Sequence, residues 1–208
     1  MEKPDFERAK LYAMQRLEQD LPSTAYYHSV RHTRDDVLPA VERLAALEKI
    51  DGDDLLCLVT AACYHDLGHI WQRADHEVYS VRTAAEVLPG FGYTPAHIAL
   101  IGSLIMATKW PQQPRTRLEE IIADADMDSL GREDFLATSQ ALRDELVSIG
   151  VTGSDEEWYR GQLEFLQGHH YFTGAAKALR EAGKQRNIAA VARLLAESQP
   201  SQHTDRAE

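Results

Sequence analysis

Apolar residues recur along this chain at intervals of three and four, the spacing of one face of a helix. No run alternates with period two over a useful length. Residues 5–20 set Phe6, Ala9, Ala13, Leu17 and Leu21 on one stripe behind Asp5, whose carboxylate suits the first free N–H groups of a helix. Residues 30–49 continue with Val37, Val41, Leu44, Ala45 and Leu47 and stop at Asp51-Gly52. Leu55, Leu58, Val59 and Ala62 mark the next helix, which ends near Gly68, glycine being the residue that most easily closes a helix. Further helical patterns cover about 75–88, 95–108, 115–128, 132–148, 155–172 and 185–197. Turn signals at Pro89-Gly90, from Pro111 to Pro114 and from Gly150 to Ser154 divide them. The pattern predicts an all-α bundle, one domain over residues 1–198 with a polar, flexible tail at 199–208.

Composition narrows the function classes more than the fold. The chain has 208 residues, enough for one domain with a real core, and is 44% hydrophobic and 26% charged, as folded proteins are. Its 22 Lys and Arg against 33 Asp and Glu leave a formal charge of −11. That balance argues against nonspecific nucleic-acid binding, which needs clustered basic residues. A small anionic substrate stays open, because a bound metal reverses the local field. Cys57 and Cys63 lie among Leu and Ala and read as buried thiols in a reducing compartment. The N-terminus lacks an apolar signal segment, and no stretch approaches the ~20 apolar residues of a membrane span. A cytoplasmic protein without a membrane partner is expected.

Chemistry concentrates in three segments. In Ala62-Cys63-Tyr64-His65-Asp66-Leu67-Gly68-His69, an adjacent His-Asp pair ends an otherwise apolar helix. Burying both is costly unless each finds a partner; a metal ion suits both, and a helix cap with its neighbour is the plainer reading. In Tyr27-His28-Ser29-Val30-Arg31-His32, the two histidines share a face if the segment is helical. They could bind one metal, divide ligation from proton handling, or simply face solvent. In Ala123-Asp124-Ala125-Asp126-Met127-Asp128, Asp126 falls on the apolar face, four after Ile122 and four before Leu130. Asp124 and Asp128 point elsewhere, as solvated charges or as acceptors that hold a ligand histidine.

The order His32, His65-Asp66, Asp126 resembles the HD superfamily of metal-dependent phosphohydrolases, whose pattern is H…HD…D on a helical core. The resemblance covers residues 25–130 or so. It implies an HD-type bundle with His32, His65, Asp66 and Asp126 as metal ligands, Asp126 matching the Ala-Asp pair that Leu, Arg or Met follows. It also implies a divalent transition metal (Mn, Fe, Co, Ni or Zn) and hydrolysis of a small phosphorylated compound, such as a nucleotide. Asp66 would take the proton of the attacking water. Tyr27-His28 with His32 also looks like the Tyr-His-Asn-x-x-His opening of helical cyclic-nucleotide phosphodiesterases, although Ser29 replaces the Asn. By that likeness His28 is a candidate general acid.

Other positions divide the chemistries within the superfamily. His69 stands where HD nucleotidases have an acidic residue, and could orient water, contact phosphate or bind a second metal. His76-Glu77 with Ser80 resembles the His-(Pro/Glu)-x-x-(Gly/Ser) segment of many members, so His76 is a candidate for substrate or second-metal contact. Two-metal members carry histidines where this chain has Ala107-Thr108-Lys109-Trp110, which argues for one metal or a weakly held second. Lys109 could neutralise a phosphate or simply complement a helix end. His97 reads as a core-edge residue, and His169 and His170 fall on the helix predicted over 155–172. The competing function is an inactive HD module that senses a nucleotide or metal and acts through a protein partner. Four intact ligand positions favour the enzyme.

Overall fold

The apolar stripes become helices in the computed structural model, which describes residues 3–199. The α-helices are α1 (Phe6–Asp20), α2 (Leu38–Leu47), α3 (Gly52–Tyr64), α4 (His76–Val87), α5 (Pro95–Ala107), α6 (Arg117–Asp126), α7 (Phe135–Ser148), α8 (Asp155–Gly168) and α9 (Gly174–Ser198). A π-helical turn at His32–Val37 leads into α2, and tight 3-10 turns occupy Leu67–Ile70, Leu88–Phe91 and Asp128–Gly131. No strand forms among the described residues. The tail expected at 199–208 lies, beyond Gln199, outside the described residues.

Side-chain caps start several helices where the sequence offers them. Asp5 accepts from the Arg8 N–H at 3.1 Å, and Thr94, Thr116, Ser154 and Thr173 play the same part for α5, α6, α8 and α9. His97 belongs to one of these caps. Its Nδ1 accepts from the Thr94 N–H at 3.3 Å, so its place is a helix start more than the core edge.

α3 is the central helix. Every residue from Cys57 to Tyr64 is buried, the signature of a helix apolar all round. α1, α2, α5 and α6 pack about it. Its polar groups are satisfied internally: Thr60 meets the Tyr93 hydroxyl at 2.7 Å, and the Tyr64 hydroxyl donates to Ala9 O at 3.0 Å. Cys57 and Cys63 are buried free thiols. α7, α8 and α9 close a smaller apolar cluster of Leu130, Phe135, Leu166 and Val191, against which Tyr159 and Phe165 pack.

Two readings of the C-terminal half are corrected. The helix predicted over 155–172 ends at Gly168, and α9 begins eleven residues before the predicted 185. The cause is Asp124, which is buried and accepts the N–H groups of Phe172 and Thr173 at 2.8 Å each. Those donors are therefore satisfied without a continuing helix, and residues 169–173 cross α6 in non-helical backbone. The first half of α9 escapes the apolar period because it is held by polar contacts. Arg180 forks onto Asp128 at 2.8 Å, and buried Lys184 donates to His169 O at 2.7 Å. Asp128, which also receives Arg43 at 2.8 Å, thus ties α2 and α9 to the end of α6. Neither Asp124 nor Asp128 is a solvated charge or a support for a histidine ligand.

Gly68 is required for close approach, not for a left-handed turn. A Cβ there would overlap the carbonyl oxygen of His76, where the 67–70 turn rests on α4. Gly68→Ala should destabilise the fold by about 1–3 kcal/mol through overpacking. Gly161→Ala, in an exposed α8 position with open space, should stabilise by roughly 0.5–1 kcal/mol. Urea unfolding of both variants checks the opposite signs.

Candidate metal centre

The apolar run of α3 ends at Tyr64, and the next two residues are the buried pair His65 and Asp66. His65 Nδ1 donates to Ala62 O at 2.8 Å, which leaves the lone pair of Nε2 pointing away from the helix. Ser80 fastens the following turn to α4: its hydroxyl donates to His65 O at 2.6 Å and accepts from the Gly68 N–H at 2.8 Å. His32 opens the π-helical turn, a local widening found often at functional sites. Asp126 is the last residue of α6. Three separate stretches of chain therefore converge.

Their donor atoms meet at one point. His65 Nε2 lies 3.3 Å from Asp66 Oδ2 and 3.5 Å from Asp126 Oδ1; His32 Nε2 lies 3.7 and 3.3 Å from the same two oxygens. Two donors about 2.1 Å from a shared ion, at tetrahedral or octahedral angles, stand roughly 3.0–3.4 Å apart. His65 Nε2 and Asp66 Oδ2 are buried and have no hydrogen-bond partner. A bare imidazole lone pair against two carboxylates is repulsive without a cation or proton among them. The set thus fits a divalent metal, and mixed nitrogen and oxygen donors suit Mn, Fe, Co, Ni or Zn.

Asp66 faces a second group with its other oxygen. Oδ1 is 3.2 Å from His76 Nε2 and 3.7 Å from His69 Nε2. His28, His69 and His76 form a column, with ring centroids 4.1 Å apart for the first pair and 3.9 Å for the second. His76 Nδ1 bonds Arg73 O at 3.1 Å, and His69 Nε2 is buried without a partner. A His28 ring nitrogen, an Asp66 oxygen and a His69 ring nitrogen lie within 4.8 Å of one another, a second group able to contribute to a metal.

Charge follows from this crowding. Burial opposes ionisation of His65, yet adjacent Asp66 and then Asp126 hold its pKa well above the ordinary value. Burial likewise opposes the Asp66 and Asp126 carboxylates, and the surrounding imidazoles outweigh it, so both stay well below the usual range. His69 goes the other way. Burial pushes it down to about 3 despite Asp66, with His28 and His76 adding to the fall.

The structure brings His28, His32, His65, Asp66, His69, His76 and Asp126 into one site. His28 lies in irregular backbone before the helical turns start at Val30, so it reaches the site from a loop and not from a face shared with His32. Lys109 stands apart from the donors, with its ammonium on Asp75. Glu145 was not foreseen. It is 5% exposed and lies 117 residues from His28, yet its Oε1 is 2.6 Å from His28 Nδ1 and its Oε2 accepts the Tyr27 and His28 N–H groups at 2.9 Å each. Arg73 bonds the same Oε1. A glutamate inside a charged helical stretch carries no local sign of such a role; only the surplus of apolar neighbours at Leu142 and Leu146 hints at burial.

No family model and no curated protein matches the chain. Two solved structures do. One is a predicted HD superfamily hydrolase from an uncultured Thermotogales bacterium: TM-score 0.62, 21% identity, 91% of each chain covered. The other is YpgQ of Bacillus subtilis in complex with ADP: TM-score 0.66, 17% identity, 93% of this chain and 97% of that one covered. The fold of this chain is therefore the one these proteins share. Among the described residues no helix is long and apolar enough to cross a membrane.

Two outcomes follow from the site. Zn²⁺ or Mn²⁺ at about a hundred times Kd, added to chelator-stripped protein, should raise Tm by roughly 5–10 °C, and Asp126→Ala should lose most of that rise. Differential scanning calorimetry checks it. Glu145 offers a pH test. Burial opposes its ionisation, but the His28 ring and the two backbone N–H groups bring it from 4.5 down to about 2. Because the folded value is the lower one, its contribution is present above the unfolded value and lost as pH falls towards 2. Wild type should lose roughly 2 kcal/mol more than Glu145→Gln between about pH 5 and pH 3, by urea unfolding.

Proposed function

We propose that this chain is a metal-dependent phosphohydrolase of the HD superfamily, acting on a phosphate ester or anhydride of a small molecule, with nucleotides the favoured class. The observation that carries the reading is the meeting of His32, His65, Asp66 and Asp126 at one point with two buried donor atoms unpartnered. The fold shared with an HD superfamily hydrolase supports it, and the ADP complex of YpgQ supports the nucleotide class. An inactive module that sensed a nucleotide alone would have no chemical need for the full donor set.

A divalent ion held by these four residues supplies a water of lowered pKa and neutralises phosphoryl charge. The chain's own groups do the rest. Asp66 has a second oxygen, Oδ1, on the side of His69 and His76, placed to take the proton of the attacking water. His28 is an end of the imidazole column, its side chain 16% exposed against 7% for His69 in the middle, and protonates the departing oxygen. His76 holds its ring by the bond to Arg73 O and steadies Asp66. His69 fills the space between, keeping bulk water from both. Lys109, paired with Asp75 beside His76, is left to meet the distal part of the substrate. His32, His65, Asp66 and Asp126 would hold one ion; a second, on the group about His28, Asp66 and His69, would take His28 out of the acid role.

The test is turnover of nucleoside phosphates, alkyl phosphates and p-nitrophenyl phosphate by the metal-loaded chain. His28→Ala should keep its metal and lose about 10²-fold or more in kcat with alkyl phosphates, but under about tenfold with p-nitrophenyl phosphate. Equal losses would remove His28 from the acid role. No turnover of any phosphorylated compound by metal-loaded wild type would overturn the function.

A further inference from the structure

Glu145 sits on α7, in the outer helical layer, yet its carboxylate is spent entirely on the loop that carries His28. Oε2 accepts two backbone N–H groups, Tyr27 and His28, at 2.9 Å each. Had the side chain served only to anchor that loop, Oε2 would suffice. Oε1 instead lies 2.6 Å from the His28 ring nitrogen Nδ1 and is held from the other side by Arg73. A carboxylate only accepts, so the proton of this bond belongs to His28 Nδ1. With Nδ1 committed, Nε2 is the nitrogen left for chemistry beside Asp66 and His69.

Arg73 ties this to the far end of the column. Its guanidinium holds Glu145, while its backbone carbonyl accepts a hydrogen bond from His76 Nδ1 at 3.1 Å. Both terminal rings of the His28–His69–His76 column therefore have Nδ1 bound from outside, one by Glu145, which the Arg73 side chain holds, and one by the Arg73 backbone carbonyl.

We propose that Glu145, itself held by Arg73, is a positioning residue: it keeps the Nδ1 proton on His28, so that Nε2 is the nitrogen that exchanges a proton with the reacting group. The consequence for turnover rests on the phosphohydrolase reading, but the ring assignment does not. The buried carboxylate is needed as a carboxylate, and glutamine cannot replace it. If the amide oxygen keeps the two backbone N–H groups, the NH₂ faces His28 Nδ1 and turns that nitrogen into an acceptor. If the amide is reversed, the NH₂ collides with the backbone donors.

The experiment is long-range ¹H–¹⁵N NMR of the histidine rings, on the full chain loaded with Zn²⁺, for wild type, Glu145→Gln and Arg73→Met. Wild type is expected to carry the neutral-ring proton of His28 on Nδ1. Glu145→Gln is expected to move it to Nε2 with zinc content unchanged, and Arg73→Met to keep it on Nδ1. Kinetics on the same samples should show kcat for alkyl phosphates falling about tenfold or more in Glu145→Gln, with KM and the p-nitrophenyl phosphate rate within about threefold. A His28 proton on Nε2 in wild type overturns the proposal, and this result needs no variant to fold. A ring unchanged by Glu145→Gln overturns it as well. If the ring switches while wild type turns over no phosphorylated compound, the positioning is supported and the function reading alone fails.

Discussion

Two carboxylates held out of water among imidazoles are the constraint on which this site depends. Asp66 is 4% exposed and follows a helix turn in which every side chain is apolar or internally bonded. Desolvating one carboxylate costs several kcal/mol, and placing a second across from it adds repulsion. Without a cation the proton on His65 relieves this, its pKa held up by both carboxylates; with Nδ1 donating to Ala62 O, Nε2 is the nitrogen that exchanges that proton for a metal. A cation at the meeting point satisfies all four groups at once. The surrounding fold follows that need: Ser80 bolts the turn to α4, Gly68 lets the turn lie flat on the His76 carbonyl, and the π-helical turn delivers His32 from the opposite side.

How much of this could be read beforehand divides along sequence distance. The helical layers were legible because apolar period and caps agree in much of the N-terminal two thirds: α1, α5 and α6 each carry both signals, and α3 carries the apolar run alone. His65 and Asp66 were legible because a polar pair ending an apolar helix contradicts its surroundings, and contradictions of that kind point to function. Asp124 and Asp128 carried the same contradiction with a different outcome. Their partners, the Phe172 and Thr173 N–H groups and Arg180, lie more than forty residues away. Sequence alone cannot distinguish a buried carboxylate that awaits a metal from one that caps a distant segment.

Glu145 lay beyond reach for a related reason. On its helix, α7, only the apolar neighbours Leu142 and Leu146 hint that Glu145 is buried, and nothing local gives it a partner that Asp144 beside it lacks. The difference is entirely tertiary: α7 rests on the 128–131 turn that follows the metal-facing end of α6, and this brings one carboxylate to the His28 loop. The C-terminal helices are thus more than a cover for the core. They supply Glu145 to one side of the imidazole column and, through Asp128 with Arg43 and Arg180, lock the end of α6 that presents Asp126.

The charge of the chain bears on how an anionic substrate could be held. A net charge of −11 repels phosphate at long range, although screening confines that effect to about 10 Å at ordinary ionic strength. Close to the site the balance is local. Arg73 and Lys109, the cationic side chains on the segments flanking His76, are already joined to Glu145 and Asp75, and each pair is neutral when seen from outside. Neither offers a full charge to a ligand without giving up its partner. Asp66 and Asp126 add two negative charges of their own. On the phosphohydrolase reading, attraction for a phosphoryl group would come chiefly from the cation that the four donors hold, so binding of substrate and binding of metal would be one thermodynamic problem, each tightening the other by the same factor.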